Sequence, residues 1–205
     1  MILSADEFSD VSRETLERLT LYQDLLLKWN TKINLVAKST LANAVQRHFQ
    51  DSAQIFDLCP DRAVSWVDLG SGGGFPGLVV AILAAEQRPD VMVSLVESDQ
   101  RKSAFLRSVI RETGVSATVI TSRIEELEPQ AADVISARAL ADLDTLLGYV
   151  ALHGAPAVTG VFLKGRQWSS EVAKAKERWR FQVDIRQSKT EQEAVVLAFR
   201  NIEHV

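Results

Sequence analysis

Five of the chain's ten glycines fall in one stretch, Asp68-Leu69-Gly70-Ser71-Gly72-Gly73-Gly74-Phe75-Pro76-Gly77. No other segment restricts the fold as much. Val64–Asp68, running into it, reads as a buried strand, and an apolar helix is expected after it from about Pro76 to Glu86. A glycine turn joining a strand to a helix is where open α/β sheets hold ligands. Glycine permits the tight turn and lets backbone approach a bound molecule closely.

The rest of the chain agrees with such a sheet. Strands are expected at Val91–Val96, Ser116–Thr121, Asp133–Ala137 and Val158–Lys164, and helices at Asp99–Thr113, Asp142–Leu152 and Ser169–Arg180. Phe181–Gln187 and Ala194–Arg200 read as two last strands joined by a polar turn. This alternation predicts an α/β fold, a mainly parallel twisted sheet with helices on both faces. Residues 1–62 read as a helical extension packed on the 63–205 body. Ser4 with Glu7 fits a capping box, and Ser12 fits a second helix cap. Leu16, Leu19, Leu26, Trp29 and Ile33 recur at helical spacing and mark one buried face. A further helix is expected over Thr40–Leu58, with Leu41, Val45, His48, Ser52, Ile55 and Phe56 along one side. Cys59-Pro60 ends it, because the residue before proline avoids helical geometry.

Composition narrows the function classes. Hydrophobic residues make up 46%, enough for a sizeable core. No apolar run approaches the ~20 residues of a bilayer span, and Asp6 and Glu7 stand where a signal peptide would be basic and then apolar. Cys59 is the one cysteine, and His48, His153 and His204 are scattered, so neither a disulfide framework nor a metal site is expected. The expectation is a cytoplasmic monomer without membrane or metal partners. The net charge of −4 argues against holding nucleic acid by overall charge, yet a local basic face is compatible with it. Lys164, Arg166, Lys174, Lys176, Arg178 and Arg180 face only Glu171 and Glu177 in that part of the chain.

The glycine loop fits two registers. Gly72, Gly74 and Gly77 satisfy the dinucleotide pattern G-x-G-x-x-G. Asp68, Gly70, Gly72 and Gly74 satisfy an acidic residue followed by G-x-G-x-G, which resembles the first motif of Rossmann-like methyltransferases. A pyrophosphate at the helix N-terminus would be repelled by Asp68, and Pro76 has no N–H to offer it. S-adenosylmethionine carries a sulfonium and an ammonium, so charge favours the second register. Glu97, at the end of the second strand, is placed to accept from ribose hydroxyls of either cofactor.

A longer series of motifs accompanies the loop. Trp29-Asn30 with Asn34-Leu35, Arg47-His48 with Asp51-Ser52, Glu97-Ser98 with Arg101-Lys102, Ser122–Glu126, Ser136–Ala139 and Leu163–Gly165 follow in order. With the loop, they resemble the ribosomal RNA small subunit methyltransferase G family, also called glucose-inhibited division protein B. Val36 stands where that family usually has threonine, and no motif matches beyond Gln167. The resemblance implies a Rossmann-like class I S-adenosylmethionine-dependent methyltransferase fold. It implies methyl transfer to N7 of a guanine in 16S ribosomal RNA, or in a small-subunit assembly intermediate. It also implies that Gly70 and Phe75 lie along the cofactor, that Ile124-Glu125 flank its adenine, and that Arg138 sits near the methyl donor and the incoming base. Guanine N7 has a lone pair and no proton to lose, so no catalytic base is expected, only positioning by Arg138. The Asn/Asp-Pro-Pro-aromatic motif of amino-group methyltransferases is absent; the chain reads Ser136-Ala137-Arg138-Ala139-Leu140 there.

His48, Arg123, Arg138, Lys164 and Arg166 are the candidates for RNA contact, the last four because they fall at or after the carboxyl ends of expected strands. His48, Asp51 and Ser52 share a helix face, as a substrate-facing cluster or as a satisfied buried histidine with its partners. Two other function classes stay open at this point: an NAD-dependent oxidoreductase using the other glycine register, and a non-catalytic ribosome-binding module with this fold.

Overall fold

The computed structural model describes Leu3, Phe8 and residues 10–205; the Ser4–Glu7 capping box lies outside the described residues. The first helix, α1, spans Arg13–Asn30. Ser12 caps it, its hydroxyl accepting from Thr15 N at 3.2 Å. Glu86 accepts from the Ser12 amide and hydroxyl, which ties the start of α1 to helix α3 (Gly77–Gln87). Leu19, Tyr22 and Leu26 of α1 are fully buried in the same core as α3 and α4 (Gln100–Thr113). At about 2 kcal/mol for each such side chain, their burial fastens α1 to the body of the fold.

Thr40–Leu58 is not one α-helix. It runs as a 3-10 segment (Lys38–Asn43), a π-helical segment (Val45–Gln50), one α turn, α2 (Asp51–Ala53), and a final 3-10 turn (Phe56–Leu58). Val45, His48, Ser52, Ile55 and Phe56 are nevertheless buried together. The apolar spacing is met, and the winding differs, because side chains three and four apart share a face in tight and wide turns alike.

Seven strands form one sheet in the order β3-β2-β1-β4-β5-β7-β6. They are β1 (Ser65–Leu69), β2 (Met92–Val96), β3 (Ala117–Ile120), β4 (Ala132–Arg138), β5 (Gly154–Lys164), β6 (Trp179–Gln187) and β7 (Val195–His204). The first five pair in parallel, and β7 runs antiparallel between β5 and β6. Successive side chains alternate faces. Trp66 therefore points to the core under α1, α3 and α4, while Val67 joins the core under α5 (Leu143–His153) and α6 (Trp168–Ala175). The helix expected over Ser169–Arg180 stops at Ala175, and Trp179 opens β6 instead. There Trp179 is buried and donates from Nε1 to Asp144 Oδ1 at 2.7 Å. The buried indole thus has its N–H satisfied.

The order reverses between β1 and β4, so the loops after those two strands diverge and leave a crevice at the carboxyl edge of the sheet. The glycine loop and Arg138 both lie there.

Candidate functional site

β1 carries Asp68 into the interior and not into a cleft. The residue is fully buried. Its Oδ1 accepts from Ser136 Oγ at 2.7 Å, and that oxygen accepts from Trp66 Nε1 at 2.9 Å. Its Oδ2 accepts from Gly77 N at 3.2 Å. Burial pushes the carboxyl up to about 6, opposed by these hydrogen bonds and by Arg138. Asp68, expected to face the cofactor, instead anchors the loop from below.

The same bond decides between the glycine registers. Gly77 N is taken by Asp68, and the amides of Gly74 and Phe75 donate to Ser71 O at 2.7 and 3.1 Å. Pro76 has none. The start of α3 therefore keeps no amide from these residues for a pyrophosphate, which the dinucleotide register needs. Gly74, also expected at the cofactor, serves a contact with α1. Its φ is +93°, and a Cβ there would lie 2.5 Å from the Tyr22 hydroxyl.

Above the loop two cavities open side by side, of 370 and 720 Å³. They meet over Gly70, Gly72 and Arg138–Leu140. The smaller is lined by Val96, Glu97, Lys102, Arg123, Ile124, Glu125 and Tyr149. Glu97 is 7% exposed; its Oε2 accepts from Gly72 N at 2.9 Å and its Oε1 from Asp99 N at 2.8 Å. A carboxylate has about four acceptor sites, so two further donors can be taken there. Asp99 itself caps α4, accepting from Arg101 N at 2.7 Å.

The larger cavity brings Phe75 and Arg138 together with Arg47, His48 and Asp51 from the N-terminal segment and with Thr190 and Glu191 from the β6–β7 turn. Arg138, the last residue of β4, is the junction of the two cavities. Its guanidinium carbon lies 4.9 Å from the Phe75 ring centroid, and its Nη1 donates to Arg47 O at 3.1 Å and pairs with Asp51 Oδ2 at 3.6 Å. Burial lowers its pKa, while Asp51 opposes that shift. Asp51 is raised by burial, against the hydrogen bond from Thr190 and the charge of Arg138.

His48 is a neutral imidazole. The Thr40 hydroxyl donates to Ala37 O, so at 2.8 Å it accepts from His48 Nε2. Burial, then Arg138 and Arg47, push the His48 pKa down to about 3. Its ring packs 5.1 Å from Phe75. Asp51 does not pair with His48, as their helical spacing allowed, but turns to Arg138.

Of the expected cofactor residues, Gly70, Gly72, Glu97, Ile124, Glu125 and Arg138 line the smaller cavity, Phe75 lines the larger, and Asp68 and Gly74 line neither. Of the expected RNA residues, His48, Arg138 and Lys164 line the larger cavity. Arg123 borders the smaller one. Arg166 lies outside both, exposed and paired with Glu193 at 2.8 Å. Lys164 is turned inward: Nζ donates to Ala141 O at 2.8 Å and pairs with Glu171 at 2.7 Å, so its charge is already balanced. Thr190, Glu191 and Tyr149 carry no motif that singled them out. Among the described residues no cluster of His, Cys, Asp and Glu could hold a metal ion, and no helix is long and apolar enough to cross a membrane.

Comparison with known proteins agrees with this geometry. A family model described as rRNA small subunit methyltransferase G matches residues 15–197. The chain is 52% identical over 196 residues to the ribosomal RNA small subunit methyltransferase G of Ruegeria sp. (strain TM1040), covering 96% of this chain and 95% of that one. It is 48% identical to the protein of the same name from Parvibaculum lavamentivorans (strain DS-1 / DSM 13023 / NCIMB 13966), covering 98% and 91%. In fold it is similar to a SAM-dependent methyltransferase from Aquifex aeolicus, with a TM-score of 0.60 at 10% identity over 87% of this chain and 97% of the other. A second solved structure, a putative O-methyltransferase from Klebsiella pneumoniae, gives a TM-score of 0.57 at 19% identity over 88% and 90%. The sheet is thus the class I Rossmann-like methyltransferase fold, and the chain belongs to the rRNA small subunit methyltransferase G family.

Proposed function

We propose that this protein transfers a methyl group from S-adenosylmethionine to N7 of a guanine in 16S ribosomal RNA, as a cytoplasmic monomer acting on the RNA or on a small-subunit assembly intermediate. The observation that carries the reading is Arg138 at the junction of two cavities, one of nucleoside size and one wide and open. The residues present fit the cofactor. Gly70 leaves a floor of bare backbone, and a Cβ there would strike Leu140 at 2.6 Å. Glu97 offers acceptors at the end of β2, where ribose hydroxyls are expected, and Ile124-Glu125 offer an apolar wall with an acidic edge. Gly70, Gly72, Phe75, Glu97, Ile124, Glu125 and Arg138 would hold it. When bound, S-adenosylmethionine supplies a methyl group made electrophilic by its sulfonium.

Guanine N7 needs no base, and the larger cavity suits that. His48 is held neutral and weakly basic, and Asp51 is paired with Arg138. The work left to the protein is alignment and exclusion of water. Arg138 orients the base from the junction, and Phe75 beneath it closes the floor. In this reading residues 1–62 form a helical extension that supplies one wall of the RNA cleft through Arg47 and His48, and residues 63–205 form the transfer domain. Arg166 and Arg123 at the rim would meet RNA phosphates.

The test is incubation with methyl-labelled S-adenosylmethionine and small-subunit RNA that lacks this modification. Label is expected in N7-methylguanine of 16S RNA. Label confined to protein, to small molecules or to a base amino group would overturn the reading.

A further inference from the structure

The Ile124–Glu126 turn that walls the smaller cavity is gripped from behind by helix α5. His153 Nε2 lies 3.1 Å from Ile124 O and donates to it, with the ring fully buried. One turn earlier on the same helix face, the Tyr149 hydroxyl donates to Glu125 Oε1. Glu125 is an exposed side chain on a short turn, and apart from its own backbone amide it would keep much rotamer freedom. The tyrosine removes that freedom and leaves Oε2 to accept another donor.

We propose that Tyr149 is a positioning residue for purine recognition, holding the Glu125 carboxylate so that the pocket selects a purine bearing an exocyclic amino group. The inference rests on the reading of the smaller cavity as the adenosine site. The wall around the carboxylate is mixed, with Val96, Ile124 and Leu140 beside Glu97, Lys102 and Arg123. A fixed acceptor in such a wall accepts from the N6 amino group of adenine. It disfavours the oxygen that hypoxanthine carries in the same place, because that oxygen would be an acceptor facing an acceptor.

The test uses calorimetry on the full chain with two probes, S-adenosylhomocysteine and S-inosylhomocysteine, which differ in that one group. The wild type is expected to prefer the adenosine compound. Tyr149→Phe removes only a hydroxyl from a half-exposed ring. It should weaken S-adenosylhomocysteine by about three- to tenfold and leave S-inosylhomocysteine within about twofold. Glu125→Gln should lose the same preference, and the two losses should not add in the double variant. Equal weakening of both probes, no weakening, or additive losses would overturn the role of Tyr149 while the cofactor reading stands. Failure of the wild type to bind either probe would overturn both together.

Discussion

Asp51 and Arg138 lie 87 positions apart and meet at 3.6 Å at the mouth of the cleft, each with a side chain less than one-fifth exposed. Asp51 does more than balance the charge. Its Oδ1 accepts from Thr190 Oγ1 at 2.8 Å and from Gln54 Nε2 at 2.9 Å, so one carboxylate joins the N-terminal segment, β4 and the β6–β7 turn.

Asp51→Asn should therefore loosen the cleft without opening the core. Exposed ion pairs are worth about 0–1 kcal/mol, and breaking a fully buried one costs about 3–5. A pair of intermediate exposure should cost about 2. Arg138→Ala should lower methyl transfer by about a hundredfold, the cost of misplacing the acceptor base by about 1 Å. Arg138→Lys should not restore it, because an ammonium cannot reproduce a planar guanidinium on an aromatic face. Single-turnover methylation, with melting temperature as control, reads both effects. Full activity in Arg138→Lys would sink the positioning role.

Two buried groups tilt stability against pH in opposite directions. The Asp68 carboxyl titrates at about 6 in the fold, against ~3.9 unfolded. The folded state thus holds the proton longer, and stability falls as pH rises from about 4 to 6, then stays level. His48 titrates at about 3 in the fold, against ~6.5 unfolded. The unfolded state binds the proton first, and stability falls as pH drops from about 6.5 towards 3. Denaturant titrations at pH 4, 5, 6 and 7 separate them. Relative to wild type, Asp68→Asn should gain stability as pH rises through this window, and His48→Gln should lose it. Curves parallel to wild type would contradict the burial assigned to each group.

Gly77 has no room for a side chain. A Cβ there would sit 2.6 Å from Asp68 Cβ and would also collide with Leu95, both in the packed interior. Gly77→Ala should push α3 off the sheet and cost about 2–3 kcal/mol, or about 5–10 °C in melting temperature. A change below 1 °C would mean that the loop yields where its contacts say it cannot.

Much of this was legible in the chain itself. The strand–helix alternation from β1 to β5 follows from local periodicity and from punctuation such as Gly114 and the Asp99 cap, so its boundaries fall within a few residues of expectation. The glycine loop announced a ligand site for the same local reason. Asp68 is the instructive case. Its charge pointed to the right cofactor, yet its carboxylate faces Ser136 and Gly77. A sequence shows that a residue is acidic but not which way it turns. Pairings such as Asp51 with Arg138, or Tyr149 with Glu125, depend on how separate layers pack, and no spacing rule encodes them. Nor could composition show that Lys164 is neutralised by Glu171 while Arg123 borders the other cavity.

Two arginines in and beside the larger cavity are covered by acids of one turn. Arg47 pairs with Glu191 at 3.0 Å and Arg166 with Glu193 at 2.8 Å, all four side chains well exposed. Both acids belong to the β6–β7 turn, so one short hairpin masks two of the cations nearest the cleft. Such pairs contribute little stability, but they oblige RNA to compete for each arginine. Glu191→Gln with Glu193→Gln should leave the melting temperature unchanged and strengthen binding of unstructured RNA by about three- to tenfold at low salt. The slope of log affinity against log salt should steepen by about one per cation released. The gain should vanish near 0.5 M salt, where the screening length is only about 4 Å. Discrimination between 16S RNA and random RNA should fall, because the unmasked arginines favour any phosphate backbone. Unchanged affinity and slope would mean that the two arginines never meet RNA, and that the cleft is entered from the Lys102 and Arg123 side.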